Sequence, residues 1–300
     1  MTDTLRISVV IPTYNRLDTL RYVIPSLVGQ DIRPDAFEVI VADSNSNDGT
    51  AEYLAGVART SPNVRHLPGP YTGRASARNA GIAAARAPLV LFTDADIIAS
   101  SDLLAKHLAR HATGRKAVIG CEIQVDSYDE YLRKSRSSVH EDSLHPPTRK
   151  HLTWLYFMTG NCSVERRDLD AVGRFDEDFT GYGHEDLELG YRVQAAGIPI
   201  EYAPEAVNYH WHPVPFDQQQ GRMELAGRST VRFYRKHPTL AVQLRLGMTP
   251  LSLALHDLID RIPRLRAWID DGAKAPGFAR TLSFQYHYLS GIKAALRDPS

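Results

Sequence analysis

Four groups of residues have the types and spacing to do chemistry. Asp94-Ala95-Asp96 directly follows the apolar run LVLFT. Carboxylates two positions apart at a strand end share a side, and past the strand the chain can turn both toward one cation. Their hard oxygens suit Mg2+ or Mn2+, ions that clamp a diphosphate. The plainer account is two solvated acids. Tyr182-Gly183-His184-Glu185-Asp186 opens a helical pattern. The helix dipole alone favours acids there. Gly181 and Gly183 add room for close approach of backbone or ligand, and a carboxylate so placed is a candidate base for an acceptor hydroxyl. His210-Trp211-His212 sets two imidazoles on one strand face, from which either can reach a metal, although a lone histidine is more often structural. Pro12-Thr13-Tyr14-Asn15 and the stretch from Asp43 to Thr50 follow two strands and read as turn chemistry, with Asn15, Ser46 and Asp48 as candidate helix caps. Arg74 and Arg78 suit phosphate contacts or a solvated helix face.

The elements that must position these groups are legible in outline. Residues 6–11, 37–42 and 89–93 are short apolar strands. Helical spacing fills 17–28 (with Pro25 inside it), 50–58 and 74–86. Strands alternating with helices predict an α/β fold with parallel strands and right-handed crossovers. Functional groups then gather at the carboxyl ends of the strands, where Asp43 and Asp94 stand. A helix is expected over 103–111 and a strand over 117–125. Short strands are expected over 161–164, 198–202 and 206–209, and a helix over 185–195 ending at Gly197. The polar stretch 126–150 is long enough to read as a lid loop or a disordered segment.

Composition excludes several classes. The chain has 300 residues, 35 basic and 35 acidic side chains and 43% hydrophobic residues. That is too apolar and too evenly charged for a disordered chain. Its two cysteines cannot build a disulfide framework or an all-cysteine metal site. There is no signal-peptide pattern at the start and no apolar run near the roughly 20 residues of a membrane span. The expectation is a cytoplasmic protein. The neutral total is uneven: residues 1–215 carry an acidic excess of six and residues 216–300 a basic excess of six. The second part is helical in pattern, with Leu251, Leu255, Leu258, Ile259 and Ile262 on one face. The simplest expectation packs that face on the protein and leaves the arginines in water. The alternatives are peripheral membrane contact or a homo-oligomer interface through these basic helices. Nucleic acid is not an expected partner, for want of any binding motif.

The segments SVVIPTYNR, VIVADSNSNDGT, GRASARNAGI, LFTDAD, TGNCSVERRDL and GYGHEDLELGYR stand in an order that resembles family 2 glycosyltransferases over about residues 6–213. The resemblance implies a GT-A fold, a Rossmann-like α/β architecture with a mostly parallel central sheet flanked by helices. It divides the chain into a catalytic domain over 1–215 and a C-terminal helical extension over 216–300. It implies an inverting, non-processive hexosyltransferase using a nucleotide-sugar donor, UDP being the expected nucleotide, with Mn2+ or Mg2+. The acceptor would be a glycan, a lipid-linked sugar or a small molecule. Carried over by position, Pro12, Thr13, Tyr14, Asn15 and Asp43 resemble the nucleoside pocket, and Arg74, Asn79, Asp94 and Ala95 the diphosphate and donor-sugar contacts. Asp96 with His210 or His212 resembles the metal ligands. Glu185 resembles the sugar-binding acid and Asp186 the base. The chain departs from the family's common Asp-Asp-Gly-Ser with Asp43-Ser44-Asn45-Ser46, and lacks the Gln-x-x-Arg-Trp of processive synthases.

Two other classes share some of these features. A metal-dependent nucleotidyltransferase would carry a Gly-rich basic loop after its first strand, where this chain has IPTYNR. A degenerate nucleotide-sugar-binding scaffold would be free to lose its acids, which this chain keeps.

Overall fold

The structure is a computed structural model that describes residues 5–137, 141, 142, 145, 146, 151–211, 213–272 and 277–298. The chain forms two compact units. Residues 1–178 and 185–213 make the first, and residues 179–184 and 214–300 the second.

The strands are β1 (Ile7–Thr13), β2 (Phe37–Asp43), β3 (Val64–Pro68), β4 (Leu89–Phe92), β5 (Ile97–Ala99), β6 (Ala117–Val125), β7 (His151–Leu152), β8 (Cys162–Glu165) and β9 (Ile200–Trp211). The helices of the first unit are α1 (Leu17–Val28), α2 (Thr50–Thr60), α3 (Arg74–Ala84), α4 (Leu103–His111), α5 (Tyr128–Lys134), α6 (Arg166–Val172) and α7 (Glu185–Ala195). One sheet runs β3-β2-β1-β4-β8-β6-β9-β5, with β7 beside β9. Pairings among β1 to β4 are parallel, as are β6 and β9, while β8, β5 and β7 pair antiparallel. Every residue of β1 and β2 is buried, as expected for strands covered on both faces. Helix α1 continues through Pro25 to Val28. Cys121 and Cys162 are both buried thiols.

Three expectations change. The two short strands over 198–202 and 206–209 are one strand, β9, interrupted by a bulge. Gly120 pairs with Ala203, whereas Cys121 pairs with Val207. The carboxamide of Asn161 fills the bulge by donating to the carbonyls of Cys121 and Ala206. Within 126–150, expected as loop, lies α5. Ser127 caps it by accepting from the Glu130 amide, and Tyr128 and Tyr131 stack against Trp211 and Tyr209. Asn15 is not the cap of α1. Its φ of 50° is left-handed, and Asp48 instead accepts from the Leu17 amide at 2.9 Å, capping α1 from the β2–α2 loop.

A buried polar cluster stands behind the bulge. The amide nitrogen of Asn161 is committed to carbonyls, so its oxygen accepts from His107 Nε2 at 2.8 Å. Ser163 Oγ then donates to His107 Nδ1 and accepts from His111 Nε2, each at 2.8 Å. Both imidazoles are therefore neutral. Burial, outweighing the Asn161 bond, pushes His107 down to about 4. Burial and the charges of His107 and Lys116 push His111 down to about 4 as well.

The second unit contains α8 (Phe216–Lys236), α9 (Leu240–Arg245), α10 (Pro250–Asp260), α11 (Pro263–Gly272) and α12 (Phe278–Arg297). Helices α8 and α12 cross through glycines. A Cβ on Gly227 would lie 2.0 Å from the Tyr288 carbonyl oxygen, and one on Gly291 would lie 1.9 Å from that of Glu224. Segment 179–184 belongs here through the Tyr182 carbonyl, which accepts from Ser229 Oγ, and through His184 Nε2, 2.7 Å from Thr230 Oγ1. The face of α10 expected to be packed is turned outward. Leu251, Leu255, Leu258 and Ile262 are exposed, and Ile259 with His256 forms the buried side.

Two outcomes follow from this packing. The unfolded chain binds protons on His107 and His111 near pH 6.5, and the folded chain only near pH 4. Their contribution to stability is thus complete above about pH 6.5 and is lost as pH falls, so thermal scans should show a falling Tm between about pH 7 and pH 4. Gly291→Val should lower Tm sharply, because backbone rather than a flexible side chain meets the added carbon.

Candidate active site

The site is built at the carboxyl ends of β1, β2 and β4, with β6, β9 and the start of α7. Helix α3 is rich in alanine, and its small buried residues Ala75, Ala77 and Gly81 let it lie close to the sheet. This carries Arg78 into the interior, where it is 2% exposed. Its Nη2 donates to Asp94 Oδ1 at 2.8 Å, and its Nη1 donates to Glu185 Oε1 at 3.0 Å. One guanidinium thus joins the end of β4 to the start of α7, where Glu185 stands 107 residues beyond Arg78 itself. The expectation of a solvated or phosphate-binding Arg78 is replaced by this buried bridge.

The charges around Arg78 hold it protonated against its burial. Against the opposing effect of burial, Arg78, Arg74 and His210 hold the Asp94 carboxyl below its ordinary value. Asp186, half-buried beside Glu185, goes the other way. Burial and the neighbouring Glu185 charge raise it, and Arg78 only partly offsets them. A carboxyl raised in this way is a group able to exchange a proton. Among the described residues, Glu185 Oε2 is buried with no hydrogen-bond partner, as is Thr13 Oγ1 at the end of β1. Such atoms are suited to meet a bound ligand.

Asp96 and His210 come together from β4–β5 and β9. His210 Nε2 lies 3.6 Å from Asp96 Oδ1. On the other side of the ring, Nδ1 lies 3.2 Å from Glu122 Oε1. Burial disfavours the imidazolium, but Glu122, Asp96 and Asp94 together push His210 up to about 9. Glu122 was not singled out from the sequence, where its signal is a lone acid within the apolar strand AVIGCEIQV. Gly160 makes room for it: a Cβ there would lie 2.3 Å from Glu122 Oε2. A carboxylate and an imidazole nitrogen, the latter backed by a second carboxylate, form a donor set suited to Mn2+ or Mg2+. Two ligand atoms 3.6 Å apart can both reach one ion at about 2.1 Å. His212 lies outside the described residues.

The nucleoside-side residues zip two loops together. Asp43 Oδ1 accepts from the amide and hydroxyl of Ser46, and Asp43 Oδ2 lies 3.1 Å from His66 Nε2. Asn15 accepts from the Asn47 amide, and Ser46 Oγ accepts from the Asn15 amide. Tyr14 stands exposed beside them, and Pro12 is buried in β1. Arg74 is exposed at the first turn of α3. Two expected donor contacts fall elsewhere. Asn79 uses both ends of its amide on the 175–177 segment, bonding the Phe175 backbone and Glu177. Ala95 turns its methyl group into the core.

A further cluster, His256, Asp257 and Asp260, has metal-ligand geometry. The ammonium of Lys293 already stands there, in contact with Asp257 and 3.3 Å from His256 Nδ1.

The fold and these paired acids define a nucleotide-sugar-type α/β architecture. Residues 8–173 match the family model described as glycosyl transferase family 2, and residues 142–213 match one described as the N-terminal domain of galactosyltransferase. Validoxylamine A glucosyltransferase of Streptomyces hygroscopicus subsp. limoneus is 32% identical over 272 residues, covering 81% of this chain and 59% of the relative. The chain thus spans about three-fifths of that relative's length. Mannosyltransferase PcManGT from Pyrobaculum calidifontis, solved with GDP-Man and Mn2+, superposes with a TM-score of 0.69 at 20% identity, over 98% of this chain and 88% of that one. S. aureus TarS 1-349, solved with UDP, gives a TM-score of 0.57 at 19% identity, over 97% and 91% of the two chains. The chain belongs to glycosyltransferase family 2 and has the GT-A fold.

Replacing Arg78 leaves the buried Glu185 carboxylate without its partner and takes one of the positive neighbours from the partly exposed Asp94. Arg78→Leu should cost about 3–5 kcal/mol in urea unfolding, and Arg78→Leu with Glu185→Leu should recover part of that loss.

Proposed function

We propose that the chain transfers a sugar, with inversion at the anomeric carbon, from a UDP-sugar to an acceptor hydroxyl. The catalytic work falls to residues 1–215. The observation that carries this reading is the Arg78 bridge, which holds Asp94 and Glu185, the latter next to Asp186, on one guanidinium. The relatives' names and the UDP-bound structural neighbour support the donor class.

In this reading Thr13, Tyr14, Asn15 and Asp43 seat the nucleoside, and Arg74 and Asp94 face the diphosphate and donor sugar. The free Glu185 Oε2 accepts from an acceptor hydroxyl and aims it. Asp186 takes the proton from the attacking oxygen as the new C–O bond forms and the bond to the diphosphate breaks, with the electron pair leaving on the diphosphate. The raised affinity of Asp186 for a proton suits that task near neutral pH. Asp96 and His210 are the residues that would hold Mn2+ or Mg2+. When bound, such an ion neutralises charge on the departing diphosphate. The acceptor is a glycan, a lipid-linked sugar or a small molecule.

Asp186→Asn should fold and bind donor but lose about 10²–10⁴-fold in transfer rate. Near-wild-type turnover would remove Asp186 as the base. In the unmodified protein kcat should fall on acidification with an apparent pKa well above the ordinary carboxylate value of about 4. Glu122→Gln should weaken Mn2+ binding about 10–100-fold, read by electron paramagnetic resonance of free Mn2+. Full transfer activity in excess EDTA would remove Asp96 and His210 from their role.

A further inference from the structure

In the second unit, α10 is built inside out for a solvated helix. Leu251, Leu255 and Leu258 recur at intervals of four and three, which puts them on one stripe about 60° wide, and Ile262 follows two residues past the helix end. That stripe faces away from the protein: Leu251 is 80% exposed, Leu255 53% and Leu258 55%. The buried side is carried by Ile259, packed with Ile269 and Tyr286, and by His256, stacked on Tyr286. Leu240 and Leu244 of α9 and Trp268 of α11 are exposed as well. Large apolar side chains left in water along one helix face suit an interaction site.

The charges around it select the partner. Arg245, Arg261, Arg264 and Arg266 are all exposed. Three acids of these helices have partners within the unit. Asp257 contacts Lys293, Asp260 accepts from the Tyr286 hydroxyl at 2.5 Å, and Asp270 Oδ1 lies 3.2 Å from His287 Nε2. The exposed side chains of 240–268 therefore include leucines, an indole and four arginines. A two-fold contact with a second copy would bring these arginines against each other across a drying interface. An anionic bilayer accepts both components: leucines enter the headgroup–acyl boundary, Trp268 sits at that level, and the guanidinium groups meet lipid phosphates.

We propose that the outward face of α9, α10 and α11 seats the protein on an anionic lipid surface. This goes beyond the transfer reaction and does not depend on which hydroxyl is the acceptor. The test is co-sedimentation of the whole chain with phosphatidylcholine vesicles, with and without phosphatidylglycerol. The wild-type chain should sediment with the phosphatidylglycerol vesicles at low salt, and less at high salt. Joint replacement Leu251→Ser, Leu255→Ser and Leu258→Ser should reduce partitioning about tenfold or more. Since all three side chains are already exposed, its circular dichroism should match wild type. Arg261→Gln with Arg264→Gln should abolish the preference for phosphatidylglycerol. Donor hydrolysis in solution should be unchanged in every variant, which separates this proposal from the catalytic one. Absence of sedimentation with phosphatidylglycerol vesicles at low salt would overturn it. So would a concentration-dependent dimer in light scattering that the triple leucine variant abolishes, which would assign the face to a second copy.

Discussion

A single buried guanidinium organises the catalytic half of this protein. Arg78 pays for its burial with two carboxylates, Asp94 and Glu185, each within 3.0 Å of one of its nitrogens. The guanidinium and Glu185 offset each other's burial, and the partly exposed Asp94 adds a second counter-charge. The constraint is mutual, and it ties the end of β4 to the start of α7. Next along the helix, burial and the neighbouring Glu185 charge push Asp186 toward holding a proton, and Arg78 offsets part of that.

The other half of the site depends on backbone irregularity. His210 and Glu122 meet because β9 slips its register against β6 at Gly120/Cys121. A one-residue change of register would send His210 to the opposite face of the sheet. Asn161 fixes the slip by filling the bulge, and Gly160 beside it leaves space for Glu122. Behind Asn161, His107 and Ser163 continue this support as a buried chain of hydrogen bonds. Within TGNCSVERRDL, then, residues 160 and 161 act on the site through shape and hydrogen bonding.

The helical unit follows another logic. Its tightest contact is a crossing of α8 and α12 through Gly227 and Gly291, and its cores are small. That leaves α9 to α11 with an outward apolar face, the reverse of what heptad-like leucine spacing suggests in an ordinary extension. No helix among the described residues is long and apolar enough to cross a membrane.

The sequence by itself determined the α/β alternation, most helix and strand bounds, the family, and the acids at strand and helix ends. These rest on short-range periodicity and on motifs contiguous in the chain, so neighbouring residues suffice to read them. It could not show that Arg78 is buried, that Glu122 stands behind His210, that Asn79 serves a loop, or that the leucines of α10 face outward. Each of these is a relation between segments tens of residues apart. Helical spacing states which residues share a face but not what that face meets, and an arginine in an alanine-rich helix reads alike whether solvated or bridging. Sheet order, the β9 bulge and the packing of each helix decided those questions, because only three-dimensional neighbours set desolvation and the partners that offset it.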